Sequence, residues 1–417
     1  MKRIFHTPEG VRDIYGKECE KKLYLQHKLQ KVFHAYGYHD IETPTFEYFD
    51  VFGTEIGTTP SRELYKFFDR EGDTLVLRPD FTPSIARAAS MYFQEEDLPI
   101  RLCYRGNTFV NNSSLQGRLK ESTQMGVELI GDPSVDADGE VIALIVKLLK
   151  ETGLKDFQIS IGQVDFFKSL VEEAGLSEEA TANLRELISN KNYFGVEELI
   201  RKQNISNELV KVFTLLPQLF GSKDILEKAK NLTSNVSAKK AIERLEELHE
   251  VLVHYQCDEY VTYDLGMLSK YMYYTGIIFQ GYTYGTGEPL VKGGRYNQLL
   301  AHFGNPAPAI GFGLYMDQVL NALNRQKIDF AMMNDKTLIV YRNQFRAAAI
   351  KMAIEHRNNQ MNVQCMYVED KKTEMDYVKY GKRHHFGELI FPISESEIKI
   401  VNLFTDEETF MNIENFR

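Results

Sequence analysis

The sequence predicts an α+β protein: a mostly antiparallel sheet with helices on one side, interrupted by a block of helices and followed by a small α/β domain. Three observations carry this. Short strand signals separated by turn residues fill the stretch up to Ile130 and return after Val261. Between them, from about Gln163 to Tyr255, the pattern is helical only. Past Asp335, strands and helices alternate. The expected domains are residues 1–325, with a helical insertion at about 165–255, and residues 335–417.

The first helix runs from about Glu18 to Tyr36, with Leu25, Leu29, Val32 and Phe33 near helical spacing, and Gly37 is its expected left-handed stop. A short strand at His39–Glu42 follows, and Pro44 marks its exit. Leu64–Phe68 and Thr74–Leu77, joined by Asp69-Arg70-Glu71-Gly72-Asp73, read as a β-hairpin. Arg78-Pro79-Asp80-Phe81-Thr82-Pro83 leads into a helix beginning near Ser84. Ile100–Tyr104 and Gln124–Ile130 read as two further strands. In the helical block, Phe166, Phe167, Leu170 and Val171 form one apolar stripe, and Ile242, Leu245, Leu248 and Leu252 another. Ser177 and Ser237 are expected N-caps, and Gly175 and Gly221 expected stops. Strands return at Val261–Leu265, Thr275–Tyr282 and Ile310–Leu314, so the block reads as an insertion. A polar linker, Asn324–Asp335, precedes the last portion. There Thr337–Tyr341, Val363–Val368, Leu389–Phe391 and Glu397–Phe404 read as strands, with helices at Phe345–Arg357 and around Met375–His385. That alternation predicts an α/β domain of the parallel type.

Bulk properties narrow the function classes. The formal net charge of −10 weighs against nonspecific nucleic-acid binding, which needs phosphate-neutralising lysines and arginines. No apolar run reaches the ~18 residues of a membrane span. Met1-Lys2-Arg3-Ile4-Phe5-His6 turns polar too soon for a signal peptide. Cys19, Cys103, Cys257 and Cys365 are scattered without paired spacing. They read as reduced core residues of a cytoplasmic protein, with neither metal site nor cofactor expected.

Polar groups gather at the predicted strand ends. Asp80 and Thr82 lie two apart, on one face if the chain there is extended; Gln124 and Glu128, four apart, share a strand face. Arg105 ends another strand. An arginine facing carboxylates is the complement of a zwitterion, since the carboxylates take an α-ammonium and the arginine an α-carboxylate. Each residue also has an ordinary reading: Asp80 as a helix N-cap, Glu128 as a solvated strand residue, Arg105 as half of a surface ion pair. Local chemistry alone supports a site for a small zwitterion.

Longer motifs point to a family. Pro8-Glu9-Gly10-Val11-Arg12-Asp13 resembles the opening of histidyl-tRNA synthetases, and Gly37-Tyr38 through Thr43-Pro44-Thr45-Phe46-Glu47 resembles their dimer-forming motif 1. Leu77-Arg78-Pro79-Asp80-Phe81-Thr82-Pro83 is similar to their Leu-Arg-Pro-Glu-Gly-Thr element. Tyr104-Arg105, Gln116-Gly117-Arg118 and Gln124-Met125-Gly126-Val127-Glu128 resemble motif 2. Tyr273-Tyr274-Thr275-Gly276 and Gly293-Gly294-Arg295-Tyr296 resemble the histidine-specific stretch and the segment before motif 3. The resemblance runs from residue 8 to about 320, and the last domain resembles an anticodon-binding domain. It implies a class II aminoacyl-tRNA synthetase-like fold and an isologous homodimer through motif 1. It also implies that Asp80, Thr82, Arg105, Gln124, Glu128, Tyr273 and Tyr274 bind histidine. Asp80 departs from the synthetases' glutamate, and Phe81 from their glycine.

Further departures bear on catalysis. Ser269-Lys270-Tyr271-Met272 stands where the synthetases carry Arg-Gly-Leu-Asp, so Ser269 replaces the arginine that promotes attack on ATP. Tyr315-Met316-Asp317-Gln318 stands for the Gly-Leu-Glu-Arg run of motif 3, and Gln318 for the arginine that grips the γ-phosphate. Lys120 and Glu121 replace an arginine and a glutamine of motif 2, and Glu121 is expected to place negative charge near a phosphate site. The resemblance thus implies a ligand pocket with no catalytic residues. Together with Tyr104–Phe109 and Leu115–Ser122, this pattern is similar to the regulatory subunits of ATP phosphoribosyltransferase, synthetase paralogues that assemble as hetero-oligomers with a short-form catalytic subunit. It implies a non-catalytic subunit that activates that partner in the first step of L-histidine biosynthesis and mediates feedback by L-histidine. Met267–Tyr274 is expected to move on binding, with Tyr271 as a candidate gating residue; Tyr271 also has a plain core-packing reading. The alternatives are a divergent, active histidyl-tRNA synthetase and a tRNA-sensing module that uses Lys371, Lys372, Lys379, Lys382 and Arg383.

Overall fold

In the computed structural model, which describes residues 6–53, 59–93, 97–112, 119–269, 273–328 and 336–415, local sequence accounts for most elements. The helix α1 (Gly16–Ala35) buries Leu25, Leu29 and Phe33 on one face and stops ahead of Gly37, whose φ of 79° disfavours any side chain. After the two-residue strand β1 (His39–Asp40), β2 (Phe46–Tyr48), β3 (Lys66–Phe68) and β4 (Thr74–Leu77) form a separate antiparallel sheet in the order β2-β4-β3. Then come α2 (Thr82–Tyr92), the long antiparallel pair β5 (Ile100–Phe109) and β6 (Glu121–Ile130), α3 (Val135–Glu151) and β7 (Phe157–Gln163).

The helical block holds α4 (Val164–Ala174), α5 (Glu178–Ser189), α6 (Tyr193–Arg201), α7 (Asn207–Leu215), α8 (Asp224–Lys230) and α9 (Val236–His254), with a two-residue strand β8 (Phe220–Gly221) before α8. Ser177 caps α5, accepting from the Ala180 amide, and Gly175 ends α4 in the left-handed region. Two expectations fail locally. Asn235, not Ser237, caps α9, accepting from the Ala238 amide at 2.8 Å; the helix begins at Val236, which puts Ser237 inside its first turn. Gly221 lies in β8 rather than at a helix end.

The chain then returns to the sheet with β9 (Val261–Asp264), β10 (Ile277–Thr283), β11 (Val291–Arg295) and β12 (Ala309–Tyr315), followed by α10 (Met316–Arg325). The main sheet has nine strands in the order β1-β5-β6-β12-β11-β10-β7-β9-β8, antiparallel except for β1/β5 and β7/β9. One face packs on α1, α3, α10 and the helical block, forming the largest core. Helices are not confined to that side: α2 and the turn at Leu299–Phe303 cover part of the other face, with Phe81, Ile85, Tyr104 and Tyr296 between. Helix α10 extends into the segment expected to be linker; residues 329–335 lie outside the described residues.

Contacts divide the chain into two units, Met1–Phe330 and Ala331–Arg417. In the second, β13 (Lys336–Tyr341), α11 (Arg346–Asn358), β14 (Asn362–Tyr367), α12 (Glu374–Arg383), β15 (Glu388–Pro392), β16 (Glu397–Asn402) and β17 (Glu408–Asn412) build a sheet in the order β14-β13-β15-β16-β17. Its first three strands are parallel, as the alternation predicts; β16 and β17 add an antiparallel edge.

Candidate functional site

Side chains on a strand alternate between faces, and the register decides which face each reaches. On β6, Met125, Val127 and Leu129 enter the main core, so Gln124 and Glu128 point to the opposite face, towards α2. There Thr82, in the first turn of α2, donates from Oγ1 to Glu128 Oε1 at 2.9 Å, and the Tyr296 hydroxyl donates to Glu128 Oε2. Asp80 precedes the same helix; its Oδ1 lies 3.4 Å from the Thr82 amide and its Oδ2 3.4 Å from the Tyr273 hydroxyl. The Tyr273 ring lies 4.5 Å from that of Tyr274 and meets Tyr296 edge-on at 5.8 Å. These groups enclose a cavity of only about 30 Å³, far below the ~300–1,000 Å³ usual for ligand pockets.

The floor of this chamber is glycine. Gly311 pairs with Glu128 and Gly313 with Gly126 across β12 and β6. A Cβ on Gly311 would lie 1.7 Å from Glu128 Oε2, so the carboxylate occupies the room that a side chain would take. Phe81 stacks on Tyr104 at 4.3 Å, with the Arg78 guanidinium 4.1 Å above the Phe81 ring. Arg78 itself is committed to the carbonyls of Thr43, Pro44 and Asn107.

Burial dominates the electrostatics. It pushes Glu128 up to about 8, against hydrogen bonds from Tyr296 and Thr82 that favour the carboxylate, while the negative charge of Asp80 pushes the same way as burial. Asp80 is likewise raised by burial, with the Thr82 and Phe81 amides and the Tyr273 hydroxyl opposing. Two carboxyl groups that resist ionisation in a hydroxyl-lined chamber suit a ligand that brings positive charge or N–H donors.

The structure therefore brings Asp80, Thr82, Gln124, Tyr273 and Tyr274 to one chamber, with Glu128 bonded to Thr82 and Tyr296 directly behind its lining. Arg105 does not join them. It pairs with Met125, on the odd-numbered face of β5 that carries Cys103 towards the main core, and its side chain is exposed. Ending a strand near the pocket does not aim a residue into it; the two-residue period does. Glu121 is corrected for the same reason. It shares the face of Thr123 and Met125, and its carboxylate accepts from Asn107 Nδ2 at 2.6 Å instead of approaching a phosphate site. Ser269 and Gln318 do line a larger cleft that shares Gln124, Tyr274 and Tyr315 with the chamber. Tyr271 and Gln116-Gly117-Arg118 lie outside the described residues.

Tyr296 is a pocket residue that the motif contains but to which sequence reasoning assigned no role. The signal was available, because Arg295-Tyr296 leaves a strand. The paired glycines of β11 hid that strand from any alternation test. Its neighbour Arg295 points the other way, donating from Nε to Asp138 Oδ1 at 2.7 Å in a fully buried pair that Arg244 joins from α9. Away from the pocket, His34, Asp40 and Cys103 place a nitrogen, an oxygen and a sulfur within 4.8 Å of one another, a grouping built by three separate elements and so invisible to spacing. Asp40 there accepts from Gln30 and Cys103, and burial pushes the Cys103 thiol up to about 12, which favours thiol donor over thiolate ligand.

This sheet and its chamber define a protein of the histidyl-tRNA synthetase class. The family model described as histidyl-tRNA synthetase matches residues 10–319. A solved histidyl-tRNA synthetase from Nostoc shares the fold, with a TM-score of 0.82 at 18% identity over 99% of this chain and 98% of its own. Within that class, the chain belongs to the family of ATP phosphoribosyltransferase regulatory subunits. It is 40% identical to the regulatory subunit of Acetivibrio thermocellus over 98% of this chain and 97% of that one. It is 39% identical to that of Ruminiclostridium cellulolyticum over 98% of each. A solved chain from Bacillus halodurans, described as an ATP phosphoribosyltransferase regulatory subunit/histidyl-tRNA synthetase, superposes with a TM-score of 0.83 at 34% identity, covering 94% of this chain and 100% of that one. None of the described helices is long and apolar enough to cross a membrane.

Proposed function

We propose that this chain is a non-catalytic cytoplasmic subunit that activates a short-form ATP phosphoribosyltransferase catalytic subunit and carries feedback by L-histidine, bound among Asp80, Thr82, Gln124, Glu128, Tyr273 and Tyr274. The observation that carries it is a built, two-carboxyl chamber beside a cleft that presents Ser269 and Gln318 where the resembling synthetases have arginines. Such a pocket controls a partner only if L-histidine binds one quaternary state more tightly than another; a difference of about 1–3 kcal/mol is typical. Exposed Phe46, Tyr48, Phe67 and Phe68 on the three-stranded sheet supply an apolar surface that supports self-association through the motif 1 region.

Co-expression with a short-form catalytic subunit tests the reading. The two chains are expected to co-purify, transferase activity to require this chain, and L-histidine to suppress it unless Glu128→Ala is present. A second reading, an active synthetase, is favoured by the double description of the Bacillus halodurans chain. Charging of tRNA with histidine by this chain would establish that reading instead.

A further inference from the structure

A zwitterion brings a carboxylate as well as an ammonium, and the carboxylate needs a cation. Three arginines near the chamber are placed elsewhere: Arg105 lies on the other sheet face, Arg78 is held by three backbone carbonyls, and Arg295 is paired with Asp138. Among the described residues lining the chamber, Lys292 is the basic one.

Its position follows from register. Lys292 pairs with Gly313, while Gly294 pairs with Gly311 and Gly311 with Glu128. Val291 faces the main core, so Lys292 shares the face of Tyr296 and Glu128. Two strand spacings and one two-residue step separate the backbones of Glu128 and Lys292, roughly 12 Å in all. On β12, the strand between them, this face carries Gly311 and Gly313; the Glu128 carboxylate occupies the room above Gly311, and the Tyr274 ring the room above Gly294 of β11. The half-buried Lys292 has its Nζ 5.5 Å from the Tyr315 ring centre, and it lines both the chamber and the larger cleft, which puts it at the mouth.

We infer that Lys292 is the specificity residue that receives the α-carboxylate of the bound amino acid, with the ligand's donor groups directed inward to Asp80 and Glu128. The inference rests on reading the chamber as an amino-acid receptor. It makes the carboxylate a required feature of the ligand, and it gives this family member a cation in place of the arginine expected at Arg105.

Calorimetric titration of the full chain with L-histidine and with histamine, which keeps the imidazole and amine but lacks the carboxylate, tests it. Wild type is expected to prefer L-histidine, and Lys292→Met to weaken L-histidine roughly ten- to a hundredfold while leaving histamine unchanged, as loss of one charge-assisted bond predicts. Lys292→Arg is expected to restore most of the preference. If Lys292→Met does not fold, the wild-type comparison still decides, since equal binding of the two ligands overturns the inference. Undiminished L-histidine binding by Lys292→Met overturns it while sparing the receptor reading. Wild type that binds neither ligand removes the receptor reading and this inference with it.

Discussion

Thr82 Oγ1 donates to Glu128 Oε1 at 2.9 Å, a bond spanning 46 residues that ties the first turn of α2 to the C-terminal part of β6. It holds a buried carboxyl group in place with no ion pair to it among the described residues. Stability should register that arrangement. The Glu128 carboxyl titrates at about 8 in the folded state against an ordinary 4.5, so between those values the folded chain holds a proton that the unfolded chain has released. Stability therefore falls as the pH rises from about 4.5 to about 8 and levels off above, by at most about 1.4 kcal/mol per pH unit from this one group. Asp80, raised by the same burial, adds to the slope. Urea unfolding across this range is expected to show a shallower slope for Glu128→Gln; an unchanged slope would remove Glu128 as its source.

Gly311 leaves the room that Glu128 occupies. In Gly311→Ala the new methyl carbon would meet Glu128 Oε2 at 1.7 Å and the Val127 carbonyl oxygen at 2.5 Å, so carboxylate and strand must both shift. Overpacking of this kind costs about 1–3 kcal/mol, and L-histidine binding is expected to be lost. Adding Glu128→Ala should recover part of the stability but none of the binding. Additive losses in the two variants would show that the groups do not compete for space.

The buried pair Arg295–Asp138 fastens the strand that delivers Tyr296 to the helix that follows β6. Arg295→Leu leaves Asp138 with Arg244 alone and is expected to cost about 3–5 kcal/mol, read from denaturant midpoints. Arg244 is more exposed, at 28% of its side chain, so Arg244→Leu should cost distinctly less. Equal losses would contradict the assignment of Arg295 as the principal partner.

Arg105 separates motif from geometry. Because it projects from the face opposite Glu128, Arg105→Gln should leave L-histidine affinity within about twofold of wild type, a difference near the scatter of surface substitutions. A tenfold loss by calorimetry would return Arg105 to the ligand and displace Lys292 from the role assigned above.

Much of the architecture was legible in the sequence. The stripe Ile242, Leu245, Leu248 and Leu252 is wholly buried in α9, Gly37 and Gly175 stop their helices, and the alternation beyond Thr337 builds a parallel sheet core. These features rest on short-range periodicity and backbone sterics, which a single strand of sequence records. The strands β2, β7, β8, β11 and β17 were missed, β11 because glycines occupy the positions where alternation would show.

Of the proposed ligand set, Asp80, Thr82, Gln124, Glu128, Tyr273 and Tyr274 were named from residue type and motif; five of them line the chamber, and Glu128 lies fully buried behind it, bonded to Thr82 and Tyr296. Which way a neighbouring side chain points was not in the motif. Arg105 and Glu121 sit one residue out of phase with the pocket face, while Lys292, and Tyr296 just past the strand's end, sit in phase with it on a strand that sequence did not reveal. The sequence determined which chemical groups are available and roughly where along the chain. Only the tertiary structure, through strand register and the two-residue period, decided which of them share a face, and so which cation stands across from the buried carboxyls.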